Sequence, residues 1–185
     1  MNEAIFTQLQ KEMDQSIGAL RKELAKVRTG RASTALLEHV VVDYYGATTP
    51  LNQLATLSAP EPRLLVIQPY DRNALGNIEK AILKSDLGLT PNNDGKIIRV
   101  PIPQLTEERR KELVKHVKKI AEEFRVSIRN HRRVAVEQLK EAEKKKEVTA
   151  DDSKHGQDRV QKITDDFIGR VDRIIKTKEE EIMEV

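Results

Sequence analysis

Apolar residues recur at steps of three and four along three long segments, and the spacing changes between the first segment and the second. From Ile5 they fall at Leu9, Met13, Ile17, Leu20, Leu24 and Val27, one seam down a first helix. Gly30, after Arg28 and Thr29, is placed as the left-handed residue that closes this helix. From Leu105 to Lys146 the seam is Leu113, Val117, Ile120, Phe124, Ile128, His131, Ala135, Leu139 and Ala142, with no Gly or Pro to interrupt it. This predicts a second helix reaching roughly 60 Å. Thr106 is its expected N-cap, followed by Glu107 and Glu108 where the helix dipole favours negative charge. Val148 to Asp152 resets the chain, with Thr149 as cap, and a third helix carries Val160, Ile163, Phe167, Val171, Ile174, Lys178 and Ile182. None of the three can bury its seam alone, so an elongated antiparallel three-helix bundle is expected.

Between the first two helices the period shortens. His39 to Tyr45 is β-branched and aromatic and reads as a strand closed by Gly46, with Tyr44 and Tyr45 on opposite sides of it. Leu64 to Gln68, bracketed by Pro60, Pro62 and Pro69, reads as a second strand. Asp71 can cap a short helix carrying Leu75, Ile78, Ile82 and Leu83 and ending near Gly88. Pro91 to Gly95 is a turn, and Lys96 to Val100 a third strand leaving it. Pro101 and Pro103 then bar helix until Leu105. All seven prolines lie in 31–104. The chain therefore reads as α+β: residues 1–30 and 105–185 make a three-helix bundle domain, and 31–104 a small, β-rich mixed α/β domain inserted between helix one and helix two.

Composition fits slender helical packing. With 34% charged residues, 3% aromatic and no Trp, the core must be mainly Leu, Ile and Val. The net charge of +3 is unevenly spread: residues 105–146 carry 14 Lys+Arg against 8 Asp+Glu, and residues 147–185 carry 7 against 11. Zero Cys removes disulfides, thiolate zinc sites and cysteine nucleophiles, and fits a reducing compartment. After Met1 come Asn2 and Glu3, and no apolar run approaches membrane length, so a cytoplasmic protein with no membrane contact is expected. His39, His116, His131 and His155 are scattered without metal-ligand spacing, no carboxylate sits isolated in an apolar run, and no Gly-rich phosphate loop is present. No catalytic residue, metal or cofactor is expected, and the chain does not read as an enzyme.

Between Glu123 and Glu137 the long helix places Arg125, Arg129, Arg132 and Arg133 with no acid among them. At about 100° per residue, with Ile128 at zero, these four span about 40° to 140°, beside an apolar face centred near about −30°. Arginine at all four places suits bidentate phosphate contact, which makes the stripe a candidate nucleic-acid surface. A solvated helix face is the alternative. Arg28 and Lys144 to Lys146 are adequately explained as partners of helix C-termini. His131, near about −60°, reads as a histidine at the edge of the core.

Val27-Arg28-Thr29-Gly30-Arg31-Ala32, Tyr44-Tyr45-Gly46 with Thr49-Pro50-Leu51, Ser85-Asp86-Leu87-Gly88-Leu89, Leu105-Thr106-Glu107-Glu108-Arg109-Arg110 and Ile128-Arg129-Asn130-His131-Arg132-Arg133 together resemble the bacterial ribosome recycling factor family. The match keeps order and spacing over essentially the whole chain. The resemblance implies an L-shaped, tRNA-sized monomer that binds the post-termination 70S ribosome. With elongation factor G and GTP hydrolysis by that factor, it would split the ribosome into subunits and release mRNA. It implies large-subunit rRNA contact through the positions matching Arg129, Arg132 and Arg133, and a hinge at Gly30-Arg31 and Pro103-Gln104-Leu105. Three positions depart from the family pattern: His131 stands where an aliphatic residue is expected, Val134 where an acid is common, and Gln104 where a second Pro is frequent. An adaptor that docks protein helices along the seam edges is the competing reading from another class.

Overall fold

The computed structural model describes residues 3–184. In chain order the elements are α1 (Glu3–Ala25), a 3-10 turn (Thr34–Leu37), β1 (Val41–Tyr44), β2 (Ala47–Pro50), α2 (Leu51–Leu54), β3 (Ala55–Glu61), β4 (Leu64–Pro69), a second 3-10 turn (Arg72–Ala74), α3 (Leu75–Lys84), β5 (Asn92–Asn93), β6 (Ile98–Pro101), α4 (Glu107–Lys144) and α5 (Ala150–Met183). They form two compact units, Met1–Val27 with Glu108–Val185, and Arg28–Glu107.

The first unit is the bundle. Residue pairs give its register: Glu3 meets Arg159 at 2.7 Å and Asp14 meets Arg170 at 3.6 Å, so α1 and α5 run parallel. His131 meets Glu12, and Leu139 lies against Gly156, so α4 runs antiparallel to both. The α1 seam buries Phe6, Leu9, Met13, Ile17, Leu20 and Leu24, with Phe6 rather than Ile5 at its start. On α5 the buried line is Ser153, Gly156, Val160, Thr164, Phe167, Val171, Ile175 and Ile182. This rotates the seam expected from apolar residues alone, since Ile163 and Ile174 are half-buried flanks. Thr164 takes a core position because its hydroxyl donates to the Val160 carbonyl of its own helix at 2.8 Å, leaving no polar group unsatisfied. Lys178 also lies in the seam: its side chain is 15% exposed, and burial lowers its pKa against the partial compensation of Glu181.

Both ends of the α4–α5 connection are set by backbone chemistry. Lys146 adopts φ 60°, its N–H donates to the Glu143 carbonyl, and Glu147 N–H donates to the Ala142 carbonyl, the paired bonds of a Schellman stop. Thr149 then accepts from Asp152 N–H while the Asp152 carboxylate accepts from Thr149 N–H, closing a capping box at the start of α5. Helix α1 ends differently from the sequence expectation. It stops at Ala25 in tight turns from Lys26 to Glu23 and Val27 to Leu24, so Gly30 is not its C-cap. Gly30 is nevertheless left-handed, at φ 74°, and a Cβ there would lie 3.3 Å from Leu105 Cγ, so both backbone angle and space select glycine.

The second unit contains a β1–β2 hairpin and a four-stranded antiparallel sheet in the order β3-β4-β6-β5. Leu65 and Ile67 of β4, Ile98 and Val100 of β6, and Leu75, Ile78 and Ile82 from the α3 region close its core with Val42 and Leu51. Leu83, grouped with that helix's apolar face by sequence, is 58% exposed. Strands β2 and β3 carry little apolar alternation, which is why periodicity passes over them. Strand β6 continues to Pro101 because β5 pairs only with Ile98 and Arg99, so the missing proline N–H faces no strand. Tyr45 and Gly46 have φ 50° and 79° and make the two-residue hairpin turn. That turn corrects the expectation of opposed tyrosines. Tyr45 leaves the strand, and the Tyr44 and Tyr45 hydroxyls both donate to Asp71 Oδ2, at 2.8 and 3.5 Å.

Asp94 organises the β5–β6 turn. Its Oδ1 accepts from Lys96 and Ile97 N–H at 2.9 and 2.8 Å, and Oδ2 from Arg99 at 2.8 Å. The backbone donors first, and then Arg99, lower its pKa from 3.8 to about 2. A depressed carboxyl stabilises the fold above its unfolded pKa and ceases to do so as pH falls through the folded value. Stability of this unit is therefore expected to decline between the two values, and Asp94→Asn should flatten that acid limb. A carboxyl NMR titration of Asp94 with a midpoint near an ordinary aspartate would contradict this.

Candidate nucleic-acid interface

Arg125, Arg129, Arg132 and Arg133 of α4 share one edge of the bundle but differ in what surrounds them. Arg125 is 25% exposed and tied across to α5: Nε and one terminal nitrogen donate to Asp172 Oδ1 at 3.0 and 2.7 Å. Its other terminal nitrogen donates to Glu122 Oε2 at 3.3 Å. Hydrogen bonding to Asp172 is the largest influence and raises the Arg125 pKa further. Arg129 is 48% exposed and donates to Glu122 Oε1 at 3.2 Å. The stripe is therefore not free of acids, as its sequence window suggested. Glu122 stands just outside the window one turn earlier, and Asp172 arrives from another helix.

Arg132 is half-buried and donates to Gln161 Oε1 on α5 at 3.1 Å. Arg133 is exposed and, among the described residues, makes no hydrogen bond or ion pair. Thus Arg125 is neutralised, Arg129 shares one exposed carboxylate with it, and Arg132 and Arg133 meet no carboxylate directly. Sequence reading missed Asp172 and Gln161. The signal for them is the short α4–α5 turn, which brings together residues at roughly matching distances on either side of it: Arg132 and Gln161 pair across the turn in this way, and Arg125 and Asp172 do so to within a turn of helix.

His131 sits at the core edge as expected. Nδ1 lies 3.1 Å from Glu12 Oε2 and Nε2 lies 3.4 Å from Ser16 Oγ, a polar link from α4 to α1 where an aliphatic side chain was anticipated.

The residues assigned to a hinge all belong to the Arg28–Glu107 unit. Gln104 Oε1 accepts from Arg63 at 3.2 Å, Ile102 N–H donates to the Arg63 carbonyl at 2.8 Å, and Ala32 N–H donates to the Pro62 carbonyl at 2.7 Å. Gly30 lies close to Leu105, which brings the first connection beside the second. Among the described residues, no group of three or more His, Cys, Asp or Glu could hold a metal ion, and no helix is long and apolar enough to cross a membrane.

The architecture is α+β, a helical bundle with a small antiparallel β-containing unit inserted in it. A family model described as ribosome recycling factor matches residues 20–183, and the chain belongs to that family. It is 59% identical over 185 residues to the ribosome-recycling factor of Carboxydothermus hydrogenoformans and 55% identical over 185 residues to that of Bacillus subtilis, covering 100% of each chain in both cases. A solution structure of the ribosome recycling factor superposes with a TM-score of 0.82 at 45% identity, over 99% of this chain and 97% of the other. A second solved structure matches at TM-score 0.69 and 49% identity over 98% of both chains. It is described as the Thermus thermophilus ribosome recycling factor and the Escherichia coli elongation factor G bound to the Escherichia coli post-termination complex.

Proposed function

We propose that this protein binds the post-termination 70S ribosome in the cytoplasm. With elongation factor G and GTP hydrolysis by that factor, it separates the ribosome into subunits and frees the mRNA. The observation that carries this reading is likeness over essentially the entire length to a protein described on the post-termination complex beside elongation factor G. Arg132, Arg129 and Arg133 grip large-subunit rRNA, with Arg132 the principal contact, while Arg125 chiefly joins α4 to α5. A guanidinium matches phosphate oxygens with two parallel donors, and phosphate contacts need no sequence in the RNA.

The bundle is the anchored part and residues 31–104 the moving one. The chain passes twice between them, and Gly30-Arg31 with Pro103-Gln104-Leu105 shapes those passages as the hinge. Movement about such connections is the ordinary behaviour of domains joined by short linkers. The protein supplies no covalent chemistry of its own in this scheme: it binds, and the partner GTPase supplies the work.

Light scattering from purified post-termination complexes tests the proposal. Scattering should fall as 70S particles separate when this protein, elongation factor G and GTP are all present, and not when any one is omitted. Unchanged scattering with all three would overturn it.

A further inference from the structure

We infer that Gln161, held by Asp165, is a positioning residue for Arg132. This deepens the proposed function and rests on Arg132 gripping phosphate. Gln161 Nε2 donates to Asp165 Oδ1 at 2.8 Å, one helical turn further along α5. With its NH₂ engaged there, the amide presents its oxygen to α4, where it accepts from Arg132 at 3.1 Å. The chain of contacts, Asp165 to Gln161 to Arg132, fixes the direction of the guanidinium from a neighbouring helix.

What distinguishes this support is its charge. Arg125 and Arg129 are held by carboxylates, which orient them but also offset the charge a phosphate would seek. Arg133 keeps its charge but, among the described residues, has no side-chain partner to orient it. Arg132 alone of the four is held by a neutral acceptor, so it is oriented while its charge is left unpaired by direct contact. An oriented fork loses less rotamer freedom on binding, and an uncompensated one gives up no ion pair to reach its ligand.

A carboxylate at position 161 would grip Arg132 more strongly and yet serve phosphate binding worse. The two effects of a substitution are thereby separable. Gln161→Ala removes orientation and leaves the charge, whereas Gln161→Glu keeps a contact and offsets the charge.

The test is ribosome affinity at fixed salt for the full chain carrying Gln161→Ala, Gln161→Glu, Arg132→Ala, and Arg132→Ala combined with each change at 161. Thermal unfolding is measured alongside to confirm that each variant is folded; position 161 is exposed, so its substitutions should leave the fold intact. Gln161→Ala should weaken binding about 3- to 10-fold, the cost of ordering one long side chain, and Gln161→Glu should weaken it more. In the Arg132→Ala background the alanine effect should vanish and most of the glutamate effect with it, the non-additivity expected of coupled residues. The salt dependence of binding should be unchanged by Gln161→Ala, since no cation is lost.

Three outcomes would overturn the inference while leaving Arg132 in place: wild-type binding by Gln161→Ala, an alanine effect of equal size without Arg132, or tighter binding by Gln161→Glu than by Gln161→Ala. Wild-type binding by Arg132→Ala would instead remove the reading on which it stands.

Discussion

Replacing Arg132 by Ala is expected to cost about 1.5–3 kcal/mol of ribosome affinity, roughly 10- to 150-fold, with almost no change in thermal stability. The size is that of hydrogen bonds to a charged group. The selectivity for Arg132 comes from its setting, a half-buried residue whose head is held by a neutral amide. Arg132→Lys should recover part of the loss, because the charge returns without the planar fork. Arg125→Ala should show the opposite balance, with little loss of binding and a measurable loss of stability, since its guanidinium joins two helices through Asp172. Ribosome pelleting and thermal unfolding of the three variants at matched salt check the pattern. Arg132→Ala binding as well as wild type, or failing only because it has unfolded, would sink the assignment.

The largest stability effect is expected at Gly156. A Cβ there would sit 3.1 Å from both Leu139 methyl carbons and 3.6 Å from Phe6, so α5 is close to α4 and α1 at this turn for want of a side chain. Leu139 and Phe6 are 2% and 1% exposed and have no solvent to move into. Gly156→Val places three carbons in that space and should destabilise the protein by about 2–3 kcal/mol, the range for overpacking a well-filled core. Gly18 provides the contrast. It is an exposed glycine in the middle of α1, and a Cβ there meets nothing within 4 Å. Gly18→Ala should therefore gain about 0.5–1 kcal/mol from helix propensity alone. Urea midpoints with unchanged slopes would measure both, and a neutral Gly156→Val would show that the helices are not closely packed at that turn.

The helices were legible because each presents a long amphipathic repeat, and Thr149 carried its capping box openly in sequence as Thr149 and Asp152. Two kinds of feature were not. Thr164 and Gly156 occupy core positions that a hydrophobic alphabet skips, one because its hydroxyl satisfies itself and the other because absence of a side chain is what the core requires. Strands β2 and β3 are largely exposed, so tertiary pairing rather than pattern makes them strands. The arginine edge itself was visible, but its electrostatics were not. Asp172, Gln161 and Asp165 lie some thirty or more positions beyond the arginines in the chain, and only the antiparallel α4–α5 register brings them alongside. That register turns four similar arginines into one neutralised, one shared and two with their charge available.

The salt dependence of ribosome binding tests most directly whether this edge grips RNA phosphate. The logarithm of affinity for the wild type should fall linearly and steeply with the logarithm of salt concentration. Arg132→Ala should lower both the affinity and the slope, the latter by about one counterion. A shallow wild-type slope, or one that Arg132→Ala leaves unchanged while affinity falls, would mean that the edge docks on protein or packs by shape and does not bind phosphate.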